Sequence, residues 1–295
     1  MFSIIGIVVV IGAIVSGYLM EKGNLLVLMQ PAEMVIIAGA AAGTVLIANP
    51  LYILKQIVGG LIGVFKGSRF TSKLYLDSLK MLFELFSRSR KEGLTAIETD
   101  IEEPEKSKTF TAFPSVIKDH HVLHFICDTL RMASSGAVEP LDIDQMMELD
   151  MEVHHHAAAL PVAALSTVAD ALPGLGIVAA VLGVVITMGA LGGPPEEIGK
   201  KVAAALVGTF LGILLCYGFL GPLAANMSKT TDEEDAYYHV LRVTMTAFIK
   251  GTAPILAVEI GRRATPSQVR PVFKDLEQLC RRKGGAAAEP PAAAA

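Results

Sequence analysis

Tryptophan is absent from the 295 residues, and cysteine occurs only three times. Cys127, Cys216 and Cys280 are scattered and lack the paired spacing of metal ligands, so they read as buried or inert thiols with no disulfide framework. Positive charge is not in excess either. The formal net charge is −4, which excludes a basic nucleic-acid binder. There is no phosphate-binding loop of the Walker type and no nucleophile elbow, so the chain does not read as an enzyme and no cofactor is expected. The most informative absence lies inside the long apolar runs, which lack Asp, Glu, Lys, Arg and His.

Those runs dominate the composition. Hydrophobic residues make up 52% of the chain and the mean hydropathy is +0.52, too apolar for an ordinary soluble protein of this length. Four runs are long enough for the roughly 20 residues that cross a bilayer: Met1–Met20, Met34–Leu54, Ala171–Gly193 and Val202–Met227. The first lacks the basic flank and small-residue cleavage site of a secretory signal. Of the 25 lysines and arginines, only Lys22, Lys200 and Lys201 fall in the loops 21–33 and 194–201. Positive charge stays on the cytoplasmic side. These two loops are therefore expected outside, with both termini, the large region 55–170 and the segment 228–283 inside. The fold class expected is an all-α integral membrane protein, with four transmembrane helices and a large helical cytoplasmic domain between spans 2 and 3.

Within that domain, Leu74-Tyr75, Leu79, Leu82-Phe83 and Phe86 recur at helical spacing. Gly93 is expected to stop this helix, and Thr95-Ala-Ile-Glu98 fits a capping box that starts the next. Glu-Glu-Pro at 102–104 should end it, with further helices from Leu123 to Met132 and Leu141 to Glu152. The segment 284–295, GGAAAEPPAAAA, reads as disordered.

Glu33 and Asp170 sit at span edges, where solvent or helix N-termini explain them. Pumps and ion-coupled transporters keep an ionisable group in the membrane. Either this chain is a passive scaffold, or a partner brings the carboxylate. Small residues abound instead: Gly39 and Gly43 in span 2, Gly174, Gly176 and Gly183 in span 3, and Gly208, Gly212 and Gly218 in span 4. They serve either close packing within one bundle or a groove for another protein's helix. Pro173 reads as a first-turn proline of span 3, whereas Pro222 interrupts span 4. Both lie at the cytoplasmic depth, as a shared hinge plane would.

Five blocks in order carry a family resemblance: GYLM (17–20), QPAEMVIIAGAAAG (30–43), SRKEGLTAIETDIEEP (89–104), LPGLGIVAAVLGVV (172–185) and VGTFLGILLCYGFLGPLA (207–224). With the four-span layout they resemble the flagellar motor stator subunits of the MotA branch of the MotA/TolQ/ExbB superfamily. The resemblance implies a homo-oligomeric ring of five subunits in the bacterial inner membrane around two helices of a MotB-type partner. That partner supplies the membrane aspartate and a peptidoglycan anchor. Proton passage turns the ring, and the cytoplasmic domain pushes the rotor switch protein FliG. Pro173 and Pro222 match the family prolines near the proton-binding aspartate.

Thr209, the deepest aliphatic hydroxyl of span 4, is either a back-bonded helix residue or, on the resemblance, a polar lining at that aspartate. Tyr217 is an interfacial anchor or a wall of the same pocket. Arg90 and Glu98 match the family's rotor-contacting charges, with Arg88 and Lys91 beside them; alternatively they are a solvated helix face and a cap. Asp150, with Glu148 and Glu152, is a further rotor-facing patch or a solvated face. His154-His-His156 cannot all turn to one ion on a helix, and His120 with His124 lacks a third ligand. Sodium-type relatives carry threonine where this chain has Ala180 and usually where it has Gly208, so the transported ion expected here is the proton. The nearest alternative is a TolQ/ExbB-type energiser of outer-membrane processes, but its three-span pattern fits less well. A self-contained channel or transporter and a plain scaffold are the other readings.

Overall fold

The computed structural model describes residues 2–189 and 191–276, and among the described residues there is no strand. The segment 284–295 and Cys280 lie outside the described residues. In chain order the helices are α1 (Phe2–Met20), α2 (Leu25–Leu28), α3 (Pro31–Ala48), α4 (Leu51–Lys66) and α5 (Ser72–Glu92). A 3₁₀ turn (Leu94–Ile97) leads to α6 (Glu98–Glu102), α7 (Lys108–Thr111), α8 (Pro114–Ile117) and α9 (His120–Ser135). Then come α10 (Pro140–Met188), α11 (Pro195–Ile213), a π-helical turn (Leu214–Leu220), α12 (Gly221–Ile249) and α13 (Pro254–Ala264). Among the described residues four helical stretches are long and apolar enough to cross a membrane: Phe2–Met20, Leu25–Ala48, Pro140–Met188 and Pro195–Ile249.

Three features depart from the sequence reading. The run 34–54 is not one helix. Pro50 disfavours helical backbone at the residue before it, and Asn49 is extended at φ −132°, ψ 141°. At the other end, Pro31 starts α3 three residues before Met34, which draws Glu33 into the helix's first turn. Pro173 is not a first-turn proline: it lies, with Pro161, inside the 49-residue α10. There it removes one backbone hydrogen bond from a continuing helix. Finally, the capping box at Thr95–Glu98 is not formed. Thr95 is taken into the 3₁₀ turn, whose carbonyl accepts from the backbone N–H of Glu98, and α6 begins without a side-chain cap.

The chain divides into two compact units, Met1–Ser68 with Ala157–Thr231, and Arg69–His156 with the described residues from Asp232 on. The first holds α1 to α4 and α11. Its apolar clusters join Ile37, Ala41, Leu172, Ala179 and Cys216, and separately Ile53, Ile57, Leu165 and Met227. Large apolar side chains such as Val8, Val9, Ile47, Val185 and Leu206 stay exposed, as expected of faces that meet lipid or other helices.

The second unit has an ordinary dry core. Tyr75, Leu79, Leu82 and Phe86 fall on one face of α5 at helical spacing, and each is at most 1% exposed. Thr71 caps α5, and Gly93, at φ +89°, ends it in the left-handed region. Phe86 stacks on Phe248 with ring centroids 4.0 Å apart. Tyr237 and Ser78 share a buried 2.6 Å hydrogen bond.

A charged network crosses this unit. Arg69 pairs with Asp119 at 2.7 Å and with Glu234 at 2.5 Å, and His154 Nε2 lies 3.5 Å from Glu234 Oε1. His155 pairs with Asp235, so the three consecutive histidines are spread around the helix. The adjacent Glu234 carboxylate, with the charges of Asp119 and Asp150, holds His154 above the ordinary histidine range against the opposing effect of burial. Burial pushes Glu234 upward, but His154 and Arg69 outweigh it and leave the carboxyl below its ordinary value. A raised histidine pKa contributes stability fully below the unfolded value of about 6.5 and loses it as pH rises through the folded value. Thermal unfolding of the purified protein should therefore show a midpoint that falls as pH rises above the unfolded histidine value of about 6.5, and His154→Gln should flatten that fall.

Candidate functional site

In the first unit, two backbones meet with almost nothing between them. A methyl group added at Gly176 of α10 would lie 2.8 Å from the Gly208 carbonyl oxygen and 3.1 Å from the Gly212 Cα. One added at Gly212 of α11 would lie 2.6 Å from the Leu172 carbonyl oxygen and 2.9 Å from the Gly176 Cα. These glycines are used in packing within the chain. Gly39 and Gly43 of α3 and Gly174 of α10 have nothing within 4 Å of an added methyl. Small residues thus fall into two groups, one that lets α10 and α11 touch and one that opens outward.

This crossing orders the candidate residues along it. Pro173 is half-buried and follows Leu172, the residue whose carbonyl rests on Gly212. Ala180 and Gly208 are brought together: a methyl at Gly208 would lie 3.3 Å from the Ala180 nitrogen and 3.2 Å from the Ala179 Cβ. No hydroxyl stands at this joint. Thr209 is half-buried beside it. Tyr217 is 72% exposed.

Pro222 belongs to a different local device. Immediately before it the helix widens into the π turn, and the Gly221 N–H donates to Cys216, five residues back. The wider turn accommodates a proline that has no N–H and whose ring presses on the preceding turn. Gly221 is required there, since a methyl would sit 2.9 Å from the Cys216 oxygen. Pro222 itself is exposed.

Sequence reasoning missed Glu33. Read as an edge residue explained by solvent or a helix N-terminus, it does lie in the first turn of α3 but is only 6% exposed. A methyl at Gly208 would come within 2.6 Å of its Oε2, and one at Gly183 within 3.5 Å of its Oε1. The available signal was Pro31: proline at the first helical position places the residue two further on inside the helix.

In the second unit, the segment after α5 is tied down by Arg88. Its guanidinium donates to Asp100 at 2.5 Å and to the Ala96 carbonyl, and Ser107 donates to the other Asp100 oxygen at 2.6 Å. Asp100 is buried, while Arg90 and Glu98, on either side of the turn, are exposed. Arg88 is thus an internal brace, and the free charges are Arg90 and Glu98. Arg90 and Lys91 also occupy the last turn of α5, where cations favour the helix end. On α10, Glu148 is held by Arg242, which also grips Asp144 at 2.8 Å, whereas Asp150 is exposed.

Comparison with known proteins gives this arrangement a family. Residues 118–239 match the MotA/TolQ/ExbB proton channel family, and residues 4–93 match the motility protein A N-terminal model. The chain is 40% identical over 281 residues to motility protein A of Escherichia coli (strain K12), covering 95% of each. It is 34% identical over 278 residues to chemotaxis protein LafT of Vibrio parahaemolyticus, covering 94% of this chain and 98% of that one. Two solved structures share the fold. C. jejuni MotAB superposes with a TM-score of 0.73 at 19% identity, over 90% of this chain and 95% of that one. The flagellar MotAB stator complex of Bacillus subtilis superposes at 0.70 and 24% identity, over 87% and 92%. The class is therefore a multi-span helical subunit of the proton channel type. Within that class, the chain belongs to the motility protein A family.

Two stability outcomes follow. Gly212→Ala should destabilise the chain by about 1–3 kcal/mol through overpacking at the crossing, while Gly174→Ala should leave its unfolding midpoint unchanged; differential scanning of the purified protein checks both. Arg88→Ala should cost about 2 kcal/mol by leaving buried Asp100 without its charged donor, and should expose the 94–107 segment to limited proteolysis.

Proposed function

We propose that this chain is the ring-forming subunit of a flagellar stator unit, which converts proton flow into rotation and torque. The observation that carries this reading is kinship over 95% of both chains to a motility protein A. It takes in the membrane helices and the charged segment together. The solved relatives of the same fold are MotAB complexes. By that analogy this chain works in the inner membrane as a homo-oligomeric ring of five subunits around a MotB-type subunit. The partner supplies the membrane aspartate and the peptidoglycan anchor. The charge distribution supports a topology with both termini cytoplasmic.

Three features of the geometry support the mechanism. Gly174, Gly39 and Gly43 face open space, so a helix from another chain can come close to this one. Pro173, beside the α10–α11 crossing, and Pro222, beside the π turn, weaken the helices at positions where a change of charge on the partner's aspartate would be felt. The joint of Ala180 and Gly208 presents no hydroxyl oxygen, which favours the proton over sodium as the coupled ion; Thr209 is the nearest hydroxyl-bearing residue along α11. In the second unit, exposed Arg90 and Glu98, with Asp150 on α10, present charges for FliG. Exposed charges of this kind steer docking and weaken with salt.

Swimming and proton flux in cells that carry this chain with its B partner test the reading. Pro173→Ala should abolish swimming while the complex still assembles. Arg90→Glu should lower swimming speed severalfold, and reversal of an acidic rotor residue should restore it. Normal swimming by both variants would overturn the assignment.

A further inference from the structure

Glu33 combines two properties that rarely coexist. It is only 6% exposed, and its Oε2 is buried without a hydrogen-bond partner. An acid in the first turn of a helix is ordinarily accounted for by the free N–H groups there, with the side chain reaching back to the cap. Here Oε2 is directed instead towards Gly208 of α11, 2.6 Å from where a methyl on that residue would stand, and Oε1 towards Gly183 of α10. The surroundings are small and uncharged: Ala205 lies against Gly183, and Ala179 and the Ala180 backbone lie against Gly208. A helix-end acid needs no such clearing on two other helices. Leaving a carboxyl oxygen unsatisfied in an apolar setting is costly, and ionisable groups in spans mark ion pathways.

We propose that Glu33 is a proton-carrying site of this chain, a second carboxyl on the conduction path in addition to the one the partner brings. Its carboxylate Oε2 takes up one proton from the outer side and becomes a neutral acid. It then releases that same proton towards the partner's carboxylate and returns to its charged form. The absence of side chains at Gly183 and Gly208 makes the space that the carboxyl oxygens occupy. The proposal rests on the stator reading and its topology.

The test uses the complex of this chain with its B partner in membrane vesicles, with proton uptake driven by an imposed gradient. Unsubstituted complex is measured first, with and without sodium. No proton flux, or flux that requires sodium, would overturn the proton-stator reading itself, and shows before any substitution. Given proton flux, Glu33→Gln should lower it at least about tenfold with partner capture unchanged, and remove one ionisation from its dependence on outer pH. Glu33→Asp should restore part of the flux with a shifted pH midpoint. Gly208→Ala, which forces Oε2 aside, should also reduce it. Wild-type flux and pH profile in Glu33→Gln would overturn the proposal and leave Glu33 as a helix-end residue. If Glu33→Gln impairs assembly, Glu33→Asp decides: an unshifted midpoint overturns the proposal.

Discussion

The contact on which the membrane unit depends is the meeting of two backbones at Gly176, Gly208 and Gly212. In a bilayer, apolar side chains gain little by leaving lipid for one another, so helices associate where small residues let main chains touch. This one contact sets which residues share a depth. It puts Ala180 beside Gly208, puts Leu172 and hence Pro173 beside Gly212, and opens the clearing into which α3 directs Glu33. A methyl at Gly176 or Gly212 would press on the opposing backbone, whereas one at Gly208 would meet Glu33 Oε2 first.

Around the crossing, the helices carry local defects with identifiable compensations. Pro222 is preceded by a π turn that re-routes the Gly221 N–H to Cys216. Pro50 falls between α3 and α4, where no backbone donor is needed, and Pro31 sits at a first-turn position that lacks a partner anyway. Pro173, like Pro161 before it, lies within an otherwise regular helix. The first three are placed where the backbone tolerates them; Pro173 is placed where it does not, beside the crossing, as a residue kept for movement would be.

The second unit separates charges that hold the fold from charges offered to solvent. Asp100 is buried and satisfied by Arg88 and Ser107, and Asp144 by Arg242 and Thr246. Arg90, Glu98 and Asp150 are exposed and contribute little to stability. Such charges are available to a partner because the buried ones already fix the turn that displays them.

Hydrophobic run length and the 3.6-residue periodicity of Leu79, Leu82 and Phe86 are local properties, and they alone determined the helical class, the number of membrane-length helices among the described residues and the core face of α5. Gly93 as a stop and Pro104 as a boundary followed from backbone chemistry in the same way. The capping box at Thr95 failed because a 3₁₀ turn satisfied the same backbone groups more directly. Which glycines pack and which stay open was a tertiary decision, since every glycine in a span looks alike until a neighbouring helix is placed against it. The same holds for Arg88, indistinguishable from Arg90 in sequence but separated from it by the position of Asp100 twelve residues on. It holds most of all for Glu33: immediately before an apolar run it reads as an edge residue. Only the meeting of α10 and α11 supplies the walls that bury its carboxyl without a partner.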